Sequence, residues 1–382
     1  MSVELGLGVR PAVRRARDWV RRRPAVVRGA RELPAAGEGI SYLGFAGQRN
    51  IGDDAILEAH QRWTLGRPVN QLPVHHVPEV LSRARAAGPN PVLLGGGTLV
   101  GRADWLARVK AFDGAGLASS WSLMGVGVED PTFSGRRVHA SWDDLKAWAD
   151  VLPTFGEVTV RGPLSQGILA EVGVDSRVVG DPALFFAHDR VPVETDGDLV
   201  GMSVAVPEDV WGGDPGAVVT ALSEAARLLV QQGRRVRLLA MHPADLAPSE
   251  AVARAVGRGE AVEVLSPPTT DDFVSAVRDC SVVVGQRLHA VVLASAVGVP
   301  SLAIEYRPKC LDFQLSIDRG DWTLSTRGLD AGDVVERAQE LLEQRDEHSA
   351  AVQVGVARLV GELSADAVRV RRRVGLDRDG SA

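Results

Sequence analysis

His289 follows Arg287 by two positions in the run Val284–His289 (VGQRLH), and Glu305 and Lys309 lie in Ala303–Lys309 (AIEYRPK). An imidazole moves protons near neutral pH, and cationic side chains bind oxyanions. Together they suit chemistry on a phosphorylated or carboxylated substrate. Arg161, in Val160–Ser165 (VRGPLS), adds another guanidinium at the end of an apolar run. Upstream, Gly44–Asp54 (GFAGQRNIGDD) holds Asn50, Gly52 and Asp53. Its glycines permit a tight turn close to a ligand, and Asp53 or Asp54 is expected to cap the helix that follows. The triplet Gly95, Gly96 and Gly97 offers backbone N–H groups to a phosphate or a flat surface to a sugar; tight strand–helix packing is its bland alternative. Asp181, in Val179–Leu184 (VGDPAL), reads as closing an Asx-type turn before Pro182.

These runs share a position: each follows a short apolar stretch that reads as a buried strand. In the first half the expected strands are Ile40–Phe45, Val74–Val77, Pro91–Leu94, Ser122–Val128, Val158–Arg161 and Arg177–Val179. Helical patterns at Asp54–Trp63, Glu79–Ala87 and Leu164–Val172 separate some of them. The polar stretch His188–Asp198 reads as a linker, after which the rhythm resumes. The second set of strands is Leu199–Val206, Arg235–Ala240, Ala261–Leu265, Ser281–Val284 and Ser301–Ile304. From Asp330 to about Arg373 the pattern is helical, with a break expected near Gln353–Val356. The fold class is therefore α/β, with two Rossmann-like parallel-sheet domains facing a cleft. Ligands of such sheets bind at the carboxyl ends of strands, where the candidate residues fall.

Composition narrows the function. The 382 residues are 45% hydrophobic and 24% charged, which is globular and long enough for two or three domains. The formal charge of −6 divides into +6 over residues 1–36 and −12 over the rest. An acidic body argues against nucleic acid as a partner. Only Cys280 and Cys310 are present, so no disulfide framework is expected, in keeping with a reducing compartment. No histidine or cysteine spacing suggests a metal, no G-x-S-x-G elbow is present, and no apolar run is long enough to span a membrane. The Arg-rich start lacks the apolar stretch of a signal peptide, which favours a cytoplasmic protein. Residues 1–38 read as a solvated, partly helical extension. The sharper alternative lays residues 10–31 on anionic lipid at the inner face of the plasma membrane.

In order, RNIGDDAI (49–56), LGGGTL (94–99), VRGPLS (160–165), GDPAL (180–184), GQRLHA (285–290) and IEYRPK (304–309) resemble the polysaccharide pyruvyl transferase family over roughly residues 40–315. The resemblance implies a GT-B-like architecture and transfer of pyruvate from phosphoenolpyruvate onto a sugar as a ketal, releasing phosphate. Phosphoenolpyruvate is then a co-substrate and no cofactor is implied; the other partner is a glycan, free or lipid-linked. It implies an acceptor domain at 39–187 and a donor domain at 199–329, with helices and a tail at 330–382. Arg161, Arg287 and Lys309 would bind the donor, the two arginines by bidentate forks. His289 would transfer the proton, with Asp53 or Glu305 as base. Asn50, Gly52, Gly95, Gly96 and Gly97 would meet the acceptor. The triplet departs from the family pattern, because the first acid after it is Asp104. Two other readings use the same residues: a GT-B glycosyltransferase with a nucleotide-sugar donor, and a non-catalytic glycan-binding relative.

Overall fold

The computed structural model describes residues 39–64, 66–72, 88–133, 140–189, 197–205, 214–257 and 259–376. The basic segment 1–38, the expected strand Val74–Val77, the expected helix Glu79–Ala87 and most of the expected linker lie outside the described residues.

Short runs of buried apolar residues become strands because both of their faces are covered by helices. The first sheet has the order β2-β1-β3-β5, all parallel, from β1 (Ile40–Leu43), β2 (Val69–Gln71), β3 (Asn90–Gly95) and β5 (Ala118–Met124). Two small parallel pairs extend it: β4 (Thr98–Val100) with β6 (Gly127–Val128), and β7 (Thr159–Val160) with β8 (Arg177–Val178). A bridge between Val126 and Val160 links them. The strand expected at Ser122–Val128 is thus split, because the backbone turns at Gly125 to pair with different partners on either side.

The second sheet has six parallel strands: β9 (Leu199–Ser203), β10 (Arg235–Leu239), β11 (Val262–Leu265), β12 (Val282–Gly285), β13 (Ser301–Glu305) and β14 (Thr323–Ser325). Their order, β11-β10-β9-β12-β13-β14, is that of a doubly wound Rossmann sheet. The fold is therefore GT-B-like, with two parallel α/β sheets, as the alternation of strands and helices requires.

The helices that matter for the site are α1 (Ile51–Trp63), α2 (Pro163–Ala170), α3 (Leu288–Ala296), α4 (Lys309–Ser316) and α5 (Arg345–Arg373). Helix α3 is buried at every position, so it has no polar face for a periodic pattern to reveal. One apolar cluster covers the outer face of the first sheet and another that of the second. A third, central cluster runs from Ile40 and Tyr42 through Ala55 and Phe186 to Leu293, and on to Leu359 and Leu363 of α5. It joins both sheets into one packed body. Helix α5 runs unbroken through Gln353–Val356; the interruption falls earlier, at Gln344. The glycine that suggests a break, Gly355, instead admits a close neighbour: a Cβ there would lie 2.6 Å from the Ile317 carbonyl oxygen.

Candidate functional site

Between the carboxyl ends of strands from both sheets lies a cavity of about 150 Å³. Asn50, Asp53, Gly97 and Arg161 line it from the first half, and Arg287, His289 and Lys309 from the second. Side chains separated by up to 259 positions therefore meet in one place.

Helix α1 delivers Asn50 and Asp53. Its cap is Asn50, whose side chain accepts from the Gly52 N–H at 3.2 Å. The expected aspartate caps are displaced because the helix starts at Ile51, which puts both inside its first turn. Asp53 instead accepts from Asn50 Nδ2 at 2.7 Å, and Asp54 accepts from the Gly47 N–H at 2.6 Å. Burial raises the Asp53 carboxyl above its ordinary range, although His289 and Lys309 pull the other way. Gly52 is a packing requirement: a Cβ there would fall 2.1 Å from His289 Nδ1. Only a bare backbone lets α1 approach the imidazole this closely.

His289 sits in the first turn of α3 and is 8% exposed. Its Nε2 faces Oδ2 of Asp181 at 3.6 Å. Asp181 makes the Asx turn expected of it, with Oδ1 accepting from the Ala183 N–H at 3.0 Å. Its other oxygen faces the His289 imidazole, a contact that sequence reasoning missed. Burial alone would raise the Asp181 carboxyl, but His289, Arg161 and the Ala183 N–H together hold it below the usual range. The carboxylate therefore stays charged beside the imidazole.

Both arginines depart from the simple picture of free forks. Arg161 is 1% exposed, with Asp181 and Asp312 each 3.8 Å away and Thr98 Oγ1 3.4 Å from Nη2. Arg287 is held bidentately by buried Asp245, through Nε at 3.0 Å to Oδ2 and through Nη2 to Oδ1. The bidentate grip expected of Arg287 is thereby confined to one edge: Asp245 takes Nε–H and one Nη2–H, which leaves the Nη1–Nη2 edge for an anion. Asp245 follows β10 in the run Met241–Asp245 (MHPAD), and the rule that ligands gather beyond strand ends could have found it. Two further ties cross between the sheets. Asp312 accepts from the Leu164 and Ser165 N–H groups and from Ser165 Oγ at the start of α2, at 2.9, 3.2 and 2.6 Å. Arg307 donates from Nη2 to both oxygens of buried Glu129 at 2.6 Å.

The remaining candidates stand back from the cavity. Gly95 and Gly96 pack on the Tyr42 ring and Ile56, where a Cβ would come within 2.1 and 2.4 Å respectively, so packing accounts for them. Glu305 does not line the cavity, although it ends β13 nearby. Burial pushes its carboxyl up to about 7 from an ordinary 4.5. The folded state thus binds a proton there that the unfolded state has released, so stability falls as pH rises from about 4.5 through about 7. Glu305→Gln is expected to flatten this part of the stability curve. Denaturant midpoints of both proteins at pH 4.5, 6 and 8 check it; parallel curves would contradict it.

Among the described residues, no group of three or more His, Cys, Asp or Glu is placed to hold a metal ion, and no helix is long and apolar enough to cross a membrane. The profile of the family described as "Polysaccharide pyruvyl transferase" matches residues 50–308, more than half of the chain. The chain belongs to the polysaccharide pyruvyl transferase family. No curated protein matches it. Solved structures similar to this pyruvyl transferase family member share its fold at low identity. UDP-GlcNAc 2-epimerase from Neisseria meningitidis, bound to UDP-GlcNAc, is 10% identical with a TM-score of 0.55, over 87% of this chain and 99% of that one. Sucrose-phosphate synthase from Thermosynechococcus elongatus is 12% identical with a TM-score of 0.55, over 88% and 99%. The UDP-GlcNAc 2-epimerase from Methanocaldococcus jannaschii is 11% identical with a TM-score of 0.53, over 87% and 99%.

Proposed function

We propose that this pyruvyl transferase family member moves pyruvate from phosphoenolpyruvate to two hydroxyls of a glycan residue as a ketal, releasing phosphate. The observation that carries this reading is the convergence of Arg161, Arg287, Lys309 and the His289–Asp181 pair on one small cavity. Phosphoenolpyruvate bears a phosphate and a carboxylate and needs several cations at close quarters. Lys309, at the start of α4, is a mobile point charge suited to the departing phosphate.

His289, whose Nε2 faces Asp181, delivers a proton to the methylene carbon, which leaves an oxocarbenium at C2. A first sugar hydroxyl adds there and loses its proton to Asp53, whose raised carboxyl makes it a better base than an ordinary aspartate. Phosphate then leaves, and a second hydroxyl of the same sugar closes the ketal. Two hydroxyl protons are lost; the new methyl group gains one proton and the phosphate the other. Asn50, which bonds Asp53, positions the base and faces the acceptor.

Thermal unfolding with candidate donors tests the donor class. At a hundredfold excess over Kd, phosphoenolpyruvate is expected to add about 2.7 kcal/mol of stability and raise Tm by several degrees. UDP-GlcNAc and UDP-glucose are expected to leave Tm unchanged. The opposite pattern would replace pyruvyl transfer with glycosyl transfer. Phosphate release requiring both phosphoenolpyruvate and a glycan would separate an enzyme from a glycan-binding protein.

A further inference from the structure

A second cavity, of about 380 Å³, adjoins the first. Met241 lines both, and the Met241 carbonyl accepts from the Ile51 N–H at 3.0 Å, tying the two halves at this shared wall. One turn of chain serves both sides: Asn50 and Asp53 face the small cavity, while Arg49, Ile51 and Asp54 face the large one. The far wall is formed beyond the ends of β10 and β11 by His242, Pro243, Ser266, Pro267 and Pro268.

The lining suits a neutral polyol. Asp54 uses Oδ1 on the Gly47 N–H, so Oδ2 can accept from a hydroxyl. His242 Nδ1 accepts from the Ala244 N–H at 3.0 Å, which puts the ring proton on Nε2 as a donor. Arg49 is exposed and held at φ 61°, a left-handed conformation uncommon for a residue with a side chain. A carboxylate, an N–H donor and a guanidinium can match hydroxyls that both donate and accept, while proline rings offer flat C–H surfaces to a pyranose. A phosphate would instead meet the Asp54 carboxylate.

We infer that the large cavity binds the sugar residue next to the one being modified, so that the acceptor is a disaccharide or longer glycan. This rests on the proposed transfer to a glycan. Ser266→Trp would fill the cavity, and Arg49→Ala would remove one of its donors; neither residue belongs to the donor site. Both variants and the wild type would be applied to an array of immobilised mono-, di- and trisaccharides of glucose, galactose, mannose, N-acetylglucosamine and N-acetylmannosamine. The wild type is expected to bind some di- or trisaccharide at least tenfold more strongly than its component monosaccharides. Both variants are expected to lose most of that preference. A wild type that binds no saccharide, or binds monosaccharides equally well, overturns the inference, as does a preference unchanged in both variants. The phosphoenolpyruvate shift in Tm, measured on the same proteins, is the separate readout: its absence from the wild type defeats the donor assignment whatever the array shows.

Discussion

His289→Ala is expected to lower kcat for phosphoenolpyruvate-dependent phosphate release by about 10²–10⁴-fold, the usual worth of a positioned acid or base. That factor corresponds to about 2.7–5.5 kcal/mol of transition-state stabilisation. The size of the effect follows from the surroundings of His289. Its Nε2 is 3.6 Å from Asp181, and Gly52 packs against its other ring nitrogen, so the imidazole is tightly placed. Affinity for phosphoenolpyruvate should change far less, because the arginines and Lys309 remain. Turnover within threefold of wild type would remove His289 from the proton transfer. Asp181→Asn should also lower kcat while leaving phosphoenolpyruvate affinity nearly unchanged, since it removes the carboxylate that Nε2 faces.

Arg161→Met is expected to destabilise the folded protein by about 3–5 kcal/mol, a cost typical of leaving a buried charge without its counterion. Arg161 lies between Asp181 and Asp312, both nearly solvent-free. Burial already raises the Asp312 carboxyl, with Arg161 the main influence opposing it. Removing the guanidinium leaves two carboxylates in a poorly solvated space at the junction of the sheets. Denaturant unfolding would measure the loss. Arg161→Met with Asp312→Asn should recover part of it, because an asparagine oxygen still accepts from Leu164 and Ser165 without a charge. A stability unchanged by the single substitution would show that the site is hydrated enough to carry both charges.

Strand-end loops were legible because their chemistry is local. GQRLH and RNIGDD each combine an apolar run, a turn and unusual polar residues within ten positions, and both line the cavity. Pairings across the chain were not legible. Nothing within GDPAL shows that one Asp181 oxygen faces His289, and nothing within MHPAD shows that Asp245 holds Arg287. The glycine triplet illustrates a different ambiguity. Gly95 and Gly96 answer to the Tyr42 and Ile56 side chains and Gly97 to the cavity, yet all three look alike as letters. Gly355 misled for the same reason, since a helix tolerates glycine where another backbone presses against it. The α/β rhythm was read more easily because burial on both faces leaves strands as plain apolar runs, as in β1 and β12.

Helix α5 gives the order of synthesis a physical meaning. Thr159 is hydrogen-bonded to Asp366 at 2.9 Å, Arg373 donates to the Trp121 and Thr154 carbonyls, and Leu359 and Leu363 complete the central cluster. The first sheet is therefore covered by residues translated more than two hundred positions later. At about 5–20 residues per second, the ribosome needs about 10–40 s to supply them. Throughout that interval the nascent first half exposes apolar surface that only the late helix can cover. Its yield in a cell should then depend on chaperone supply and elongation speed as much as on the stability of the finished protein.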